Sequence, residues 1–353
     1  MKQIRTALFS YGMSGTVFHA PFINVHPGLE LYAVSERSKK TAETRYPGII
    51  SYGSIEELLR DDSIELVVVN TPNYTHYELA KLALLAEKHV VVEKPFTVTV
   101  AQADELISLG KEKNKVISVF HNRRWDSDFL TVQKIASQKL LGDIVEAELH
   151  YDRYTESLST KQHKEIPGPG TGILYDLGAH LIDQSLQLFG FPEAVFADLR
   201  IIRKVSKVND YMEVLLYYPD LRVRLKGSYL VREALPAFSL HGTKGSFIKS
   251  RSDIQEERLQ AGHIPGSKEW GIEPESEKGM LHTEVSGNVR KEYIASERGN
   301  YMMFYEQLYK AIRENNPLLV KAEDARNGIQ IIEAAMESNA GRKVVDIFPK
   351  KSL

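Results

Sequence analysis

Cysteine is absent from the 353-residue chain, which excludes disulfide bridges, thiolate nucleophiles and cysteine-based metal sites. No apolar stretch approaches the ~20 residues that a membrane-spanning helix needs. The short apolar run near the N-terminus stops at Tyr11-Gly12, which predicts a buried strand and not a signal peptide. The formal net charge of −2 is too small to attract nucleic acid or an acidic membrane. We therefore expect a cytoplasmic protein with neither nucleic-acid nor membrane partners.

The first third of the chain alternates short apolar runs with helical patterns. This alternation predicts βαβ units and a parallel sheet, and runs that are apolar on both faces predict helices on both sides of it. We therefore expect residues 1–122 to form an α/β domain, a doubly wound Rossmann sheet. The predicted strands are Ile4–Ser10, Leu29–Ser35, Glu65–Asn70, His89–Val92 and Val116–Phe120, and the predicted helices are Ser54–Arg60, His76–Glu87 and Val100–Lys113.

The pattern changes after Asn122, and residues 123–353 predict a C-terminal α+β domain with a large, mainly antiparallel open sheet. A polar, glycine-rich stretch, Gly262–Glu292, predicts a long excursion or lid. The last helix, about 322–340, is a candidate for packing back on the first domain. The predicted strands are Ile144–Arg153, Ala194–Lys204, Tyr211–Tyr218, Arg222–Leu230 and Phe238–His241; the helices are Ser127–Lys139, one from Leu174, Tyr301–Glu314 and Ala322–Ala340; and Tyr154–Gly172 is a loop.

The first strand ends in a turn that is typical of dinucleotide binding. In the G-x-G-x-x-G pattern of Rossmann folds, one glycine lets the backbone approach a pyrophosphate and another lets the following helix pack on the strand. Gly12 and Gly15 take these two places, and Ser10 replaces the first glycine. The helix N-terminus would supply N–H groups to the phosphates. We assign Ser10, Gly12, Met13, Ser14 and Gly15 to the cofactor site.

The end of the second strand carries residues of both signs. A carboxylate here typically bonds the ribose hydroxyls of NAD, and Glu36 is that candidate. Arg37, Ser38 and Lys39 are instead suited to the 2′-phosphate of NADP. The sequence therefore predicts NAD(P) and leaves the choice between the two cofactors open.

Later strand ends supply further candidates, because ligands of open α/β sheets bind outside the carboxyl ends of the strands. Asn73 and Thr75 could instead cap a helix, and His76 could be a structural histidine in its first turn. In the second domain, Asp126 is a candidate cap of the helix that begins at Ser127, and Trp125 is more typical of a core residue. The cofactor candidates in this group are Asn70, Thr71, Pro72, Asn73, His76, Glu93 and Lys94; the substrate candidates, in or beside the cleft and the Gly/Pro-rich loop, are Asn122, Arg123, Tyr154 and His163.

Six motifs follow one another along the chain: Gly15-Thr16-Val17-Phe18-His19-Ala20-Pro21, Glu93-Lys94-Pro95, His121-Asn122-Arg123-Arg124-Trp125-Asp126, Gly172–His180, Leu240–Phe247 and Ile332–Ser338. Together they resemble the Gfo/Idh/MocA oxidoreductase family, and within it the NADP-dependent scyllo-inositol dehydrogenases. The resemblance covers nearly the whole chain. Ser10 and Glu36 depart from the family's pattern, and the acid at position 36 argues for NAD.

By this resemblance the family's active site falls on Lys94, Asp176 and His180. Oxidation of a secondary alcohol needs a base for the hydroxyl proton, and histidine suits that role. Asp176 and His180 are four residues apart and would share one helix face, where the carboxylate can orient the imidazole. Lys94 can stabilise developing alkoxide charge. Lys94 and His180 could also exchange roles. Asp183 follows His180 by three residues and is a candidate partner of that histidine. Asp176, His180 and Asp183 also have the helical spacing of a possible metal site, but the resemblance implies no metal.

The predicted function is hydride transfer between NAD(P) and a secondary alcohol of a polyol, inositol or sugar-like substrate. Two alternatives remain open at this point: redox-assisted glycoside hydrolysis with a recycled cofactor, and a non-catalytic dinucleotide-binding sensor. Because the predicted antiparallel sheet has an open face, and such faces are often buried between subunits, we expect a homodimer or homotetramer.

Overall fold

The computed structural model describes residues 2–37, 40–161 and 164–347. The chain divides into two compact units. The first takes the chain up to Asn122 together with Ile254–Trp270 and Asn300–Arg326. The second takes Arg123–Asp253, Gly271–Gly299 and the chain from Asn327 onward. The chain thus returns twice to the first unit after Asn122, which a single division at that residue does not anticipate.

The first unit is built on a six-stranded parallel sheet with the order β3-β2-β1-β4-β5-β6. This order is that of a dinucleotide-binding Rossmann fold, so the predicted doubly wound sheet is confirmed. The inner strands are apolar on both faces, and Leu66, Val67, Val68 and Val69 are all at most 1% exposed. The strands are β1 Ile4–Leu8, β2 Leu29–Ser35, β3 Ile50–Tyr52, β4 Leu66–Val69, β5 His89–Val92 and β6 Ile117–Val119.

Side-chain caps begin two helices of the first unit. Ser54 accepts a hydrogen bond from the Glu57 N–H, and Thr99 forms a capping box with Gln102. Such caps satisfy N–H groups that have no partner inside the helix. The α-helices of this unit are α1 Ala20–Val25, α2 Ala42–Arg45, α3 Ile55–Leu59, α4 His76–Leu85, α5 Val100–Glu112, α8 Gln255–Gln260 and α9 Met302–Glu314.

The second unit contains a nine-stranded sheet with the order β14-β13-β12-β11-β7-β10-β9-β8-β15. Its pairs are antiparallel except for β7 with β10, so the predicted mainly antiparallel sheet is confirmed. Along β9, Met212, Val214 and Leu216 are buried and alternate with half-buried residues. The strands are β7 Ile144–Asp152, β8 Ala194–Arg200, β9 Tyr211–Tyr217, β10 Arg222–Ser228, β11 Phe238–Gly242, β12 Gly245–Lys249, β13 Gly279–Val285, β14 Asn288–Ile294 and β15 Val345–Asp346.

The expected lid at Gly262–Glu292 is wrong for its second half. Strands β13 and β14 pair as a hairpin and extend the sheet beyond β12. Ser286 and Gly287, the two residues of the turn, both have positive φ, as a type I′ hairpin requires. The sequence does not predict this hairpin, because β14 is exposed on both faces for nearly its whole length and lacks an apolar alternation.

The helices of the second unit are α6 Ser127–Ser137 and α7 Ala179–Phe189. The last helix, α10 Ala322–Gly341, starts in the first unit and continues in the second. Within the second unit, Ser338 of α10 accepts a hydrogen bond from Ala197 N of β8 at 2.9 Å. None of the helices in the described ranges is both long and apolar enough to cross a lipid bilayer.

Candidate functional site

The turn after β1 has the close contacts that a dinucleotide-binding turn needs. A Cβ on Gly15 would lie 2.4 Å from the Ser10 carbonyl oxygen, so only glycine fits there. Ser10, which replaces the family's first glycine, accepts a hydrogen bond from Gly12 N on its hydroxyl at 3.2 Å. Met13 at the tip is 42% exposed. The substitution at Ser10 therefore braces the turn while Gly12 and Gly15 keep it open to a phosphate.

Asn70 fixes this turn from the neighbouring strand end. Its side-chain oxygen accepts from Ser10 N at 2.9 Å, and its Nδ2 donates to the Ser10 carbonyl at 2.7 Å. In the sequence Asn70 is a candidate for cofactor contact. The structure gives its amide a double hydrogen bond that joins the ends of β1 and β4, the edge where ligands of such sheets bind.

Glu36 is engaged by the protein's own backbone and hydroxyl groups. Its carboxylate accepts hydrogen bonds from Thr41 N at 2.9 Å and from the Thr41 hydroxyl at 2.8 Å. It also accepts from Ala42 N at 3.3 Å and from the Ser51 hydroxyl at 3.0 Å. Glu36 therefore anchors the segment that leads into α2 and ties it to β3. Arg37 is exposed, and Ser38 lies outside the described residues.

The segment after β4 is held by a buried histidine. The His76 ring contacts the Pro95 carbonyl through Nδ1 at 2.8 Å and the Thr71 carbonyl through Nε2 at 3.0 Å. Burial lowers the pKa of His76 against the opposing effect of these two carbonyls. The Thr75 hydroxyl donates to the Pro72 carbonyl at 2.6 Å and is not a side-chain cap of α4. His76 thus joins the loops that follow β4 and β5, as a structural histidine does.

Glu93 is the centre of a network that motif spacing did not reveal. Its Oε1 accepts from the Ser14 hydroxyl and contacts Nε2 of His19 at 3.0 Å, and its Oε2 accepts from Lys94 N at 3.1 Å. Burial raises the pKa of Glu93, but the bonds from His19 and Ser14 outweigh it and lower the pKa to about 2. The ionised carboxylate therefore joins the dinucleotide turn to the backbone of Lys94.

His19 is fully buried in this network and extends it to a distant segment. Its Nδ1 lies 3.0 Å from the Tyr305 hydroxyl, and that hydroxyl donates to the Phe18 carbonyl at 2.6 Å. His19 lies in a π-helical turn, Gly15–His19, and such turns are frequent at functional sites. That turn follows directly on the glycine motif, which was a usable signal for His19. No local sequence pattern points to Tyr305, because it lies 286 residues from His19 in the chain.

Of the predicted Asp176–His180 pair, Asp176 lies on a second π-helical turn, Leu174–Gly178, and His180 lies in the first turn of α7, which follows it directly. Asp176 accepts from Nζ of Lys164 at 2.9 Å and from the Tyr229 hydroxyl at 3.4 Å. His180 is 6% exposed, and its ring centroid lies 6.4 Å from that of Tyr151. In the sequence Lys164 belongs to the predicted Gly/Pro-rich loop, as a candidate contact for substrate hydroxyls, and no sequence pattern points to Tyr229.

Other candidates of the second unit have protein partners of their own. Asp183, proposed as a partner of His180, forms a two-point ion pair with Arg124, at 2.9 and 2.6 Å. Tyr154 is 39% exposed and stacks under the Arg232 guanidinium at 3.9 Å. Asp126 precedes α6 without a side-chain cap bond and instead pairs with Arg123. In the first unit, Asn122 is buried. His163 lies outside the described residues.

The second unit also contains a pocket of about 590 Å³ whose lining includes His150, Asp152, Arg251 and Lys278. His150 lies 3.2 Å from both Asp152 and Glu148. Burial lowers the pKa of His150, but the two carboxylates outweigh it, so the net shift is upward. The two carboxylates beside the ring therefore favour the charged form of this histidine.

Comparison with known proteins agrees with this architecture. A family description, "Oxidoreductase family, NAD-binding Rossmann fold", matches residues 4–121, and "Oxidoreductase family, C-terminal alpha/beta domain" matches residues 133–347. A solved structure of a putative oxidoreductase from Bacteroides fragilis is 48% identical, with a TM-score of 0.90 over 98% of this chain and 100% of that one. The putative oxidoreductase YvaA of Bacillus subtilis superposes with a TM-score of 0.95 at 37% identity, covering 98% and 99% of the two chains.

Two curated relatives match over nearly their whole length. The uncharacterized oxidoreductase YdgJ of Escherichia coli is 40% identical over 95% of this chain and 96% of that protein. The scyllo-inositol 2-dehydrogenase (NADP(+)) IolW of Bacillus subtilis is 39% identical over 97% of this chain and 95% of that protein. With both domains matched, the chain belongs to the Gfo/Idh/MocA family of oxidoreductases with an NAD-binding domain.

Proposed function

We propose that this protein is an NADP-dependent dehydrogenase that oxidises a secondary alcohol of a polyol, an inositol or a sugar-like substrate. The observation that carries the proposal is the 39% identity, over 97% of this chain, to an NADP-dependent scyllo-inositol dehydrogenase. The intact Lys94, Asp176 and His180 support a catalytic role over a purely sensory one.

The residues of the first unit fit a bound dinucleotide. Gly12 and Gly15 leave room for a pyrophosphate at the turn, where a Cβ on Gly15 would collide with the Ser10 carbonyl. NADP is favoured because the carboxylate of Glu36 is already occupied by four hydrogen bonds from Thr41, Ala42 and Ser51. It is therefore less suited to the ribose hydroxyls, while the exposed Arg37 is suited to a 2′-phosphate.

The chemistry is divided among three side chains. The bound nicotinamide supplies the hydride acceptor. The Lys94 ammonium donates a hydrogen bond to the reacting oxygen and stabilises its developing negative charge. His180 takes the hydroxyl proton, and Asp176, held by Lys164 and Tyr229, helps to orient the substrate and the base. Glu93 positions Lys94 through the bond to its backbone N–H.

The test is turnover of a polyol panel with NADP and NAD, followed at the absorbance band of the reduced nicotinamide. We expect cofactor reduction with at least one inositol or sugar derivative, and faster with NADP. Sugar release from glycosides without net cofactor reduction would instead support the redox-assisted hydrolase. Tight cofactor binding with no turnover on any member of the panel would support the sensor.

Cofactor preference has a sharper test at positions 36 and 37. We expect Arg37→Ala to weaken NADP binding by about 10- to 100-fold, the value of one charge-assisted hydrogen bond, and to leave NAD binding unchanged. Glu36→Ser should weaken both cofactors, because it removes bonds that shape the loop. Calorimetric titration with NADP and NAD measures both effects, and Arg60→Ala, an exposed arginine of the same unit, is the control. A Glu36→Ser variant that loses NAD and gains NADP would show that this carboxylate faces the ribose.

A further inference from the structure

Three arginines surround one buried tyrosine in the second unit. The guanidinium carbons of Arg123, Arg153 and Arg251 lie 5.4, 5.2 and 4.3 Å from the centre of the Tyr151 ring. They come from separate parts of the sequence: before α6, after β7 and after β12. A single arginine over an aromatic ring is common and stabilising, but three around one ring place like charges close together.

The carboxylates that contact this cluster do not balance it. Asp126 lies 3.4 Å from Arg123 and 3.8 Å from Arg251, so two guanidiniums share one carboxylate. Asp183 pairs with Arg124, and Asp176 pairs with Lys164 while its charge also attracts Arg153. Among the contacts described for these side chains, the three guanidiniums thus share Asp126 with one another and Asp176 with Lys164, so positive charge exceeds negative charge at the cluster.

The Arg251 guanidinium makes fewer hydrogen bonds than it has donors. Its Nη2 donates to the His150 carbonyl at 3.1 Å. Its Nε and Nη1 are buried and make no hydrogen bond within the described part of the chain, although Nη1 lies 3.8 Å from the Asp126 carboxylate. Buried donors are costly when they stay unsatisfied, and a guanidinium is shaped to bind a carboxylate or phosphate at two points. This points to an oxyanion as the missing acceptor.

The cluster adjoins the proposed base, because the centre of the Tyr151 ring, which carries the arginines, lies 6.4 Å from the centre of the His180 ring. We infer that the substrate of this enzyme is an acidic polyol or sugar, whose carboxylate or phosphate is bound by Arg251 with Arg123 and Arg153 while its alcohol faces His180. This inference rests on the proposed dehydrogenase function and specifies its substrate class.

The experiment compares matched neutral and acidic compounds with the NADP-saturated enzyme: glucose, glucuronate and glucose 6-phosphate, and inositol with an inositol phosphate. We expect kcat/KM for an acidic member to exceed that of its neutral partner by about 100-fold, the value of one or two charge-assisted hydrogen bonds. A preference for glucuronate would indicate that the site binds a carboxylate, and a preference for glucose 6-phosphate or the inositol phosphate would indicate that it binds a phosphate. In Arg251→Ala the ratio should fall to near one, through KM of the acidic member, and Arg251→Lys should restore part of it.

Arg222→Ala, at an exposed arginine of the same sheet, is the matched control and should leave the ratio unchanged. Arg153→Ala, at an exposed position, gives a second reading if Arg251→Ala does not fold. Equal or better turnover of neutral members overturns the inference and leaves the dehydrogenase function standing. If no compound is turned over, the proposed function fails, and calorimetry of glucuronate and glucose 6-phosphate decides the inference: binding lost in Arg251→Ala supports it, and no binding overturns it.

Discussion

Replacing Lys94 by methionine is expected to lower kcat by about 10³-fold, within the range for loss of a group that stabilises charge or transfers a proton in the transition state. Binding of NADP should change little, because methionine keeps the length of the side chain and the Glu93 carboxylate still accepts from the backbone N–H of residue 94. Steady-state kinetics and calorimetry on the same preparations separate the two effects. Lys111→Met, an exposed lysine of the same unit, is the control.

His180→Asn should give a loss of similar size, and the double variant should lose little more than either single one. Residues that serve the same proton transfer are not additive in their effects on rate. Retention of activity by Lys94→Met/His180→Asn would remove both residues from the chemistry. The enzyme would then need another base.

Lys249→Met is expected to lower the free energy of unfolding by about 3–5 kcal/mol, the cost of leaving a buried partner charge alone. The side chains of Lys249 and Glu273 are 0% and 1% exposed, and Nζ of Lys249 lies 2.6 Å from Oε2 of Glu273. Nζ also donates to the Ser252 hydroxyl and the Glu277 carbonyl, while Glu273 accepts from the hydroxyls of Ser127 and Ser296. Urea denaturation followed by circular dichroism measures the loss.

A matched surface pair provides the control. Lys134 pairs with Glu297 at about half exposure, so Lys134→Met should cost less than about 1 kcal/mol. The double variant Lys249→Met/Glu273→Leu should be more stable than Lys249→Met alone, because it removes the stranded carboxylate. Equal stability of these two variants would mean that the ion pair does not hold this region. Because Lys249 directly precedes the segment that carries Arg251, Lys249→Met should also raise KM for an acidic substrate.

Local patterns predicted the framework because they depend on neighbours in the chain. The alternation of apolar runs and helices predicted the parallel sheet, and Gly12 and Gly15 predicted the turn after β1. The β13–β14 hairpin was not predicted, although Ser286-Gly287 is a recognisable turn. Its outer strand, β14, has no buried face, so its sequence shows no alternation of apolar and polar residues.

The sequence by itself determined the two-domain framework, the family and the identity of the residues proposed for catalysis, since each is written in short contiguous motifs. Tertiary structure alone decided which partner each charge meets. The sequence makes Glu36 a candidate ribose ligand, and the fold gives its carboxylate hydrogen bonds from Thr41 and Ser51. The fold likewise brings His19 to Glu93. The arginines around Tyr151 come from segments up to 128 residues apart, 123 to 251. Electrostatic interactions depend on distance in space and on burial, and neither can be read from separation along the chain.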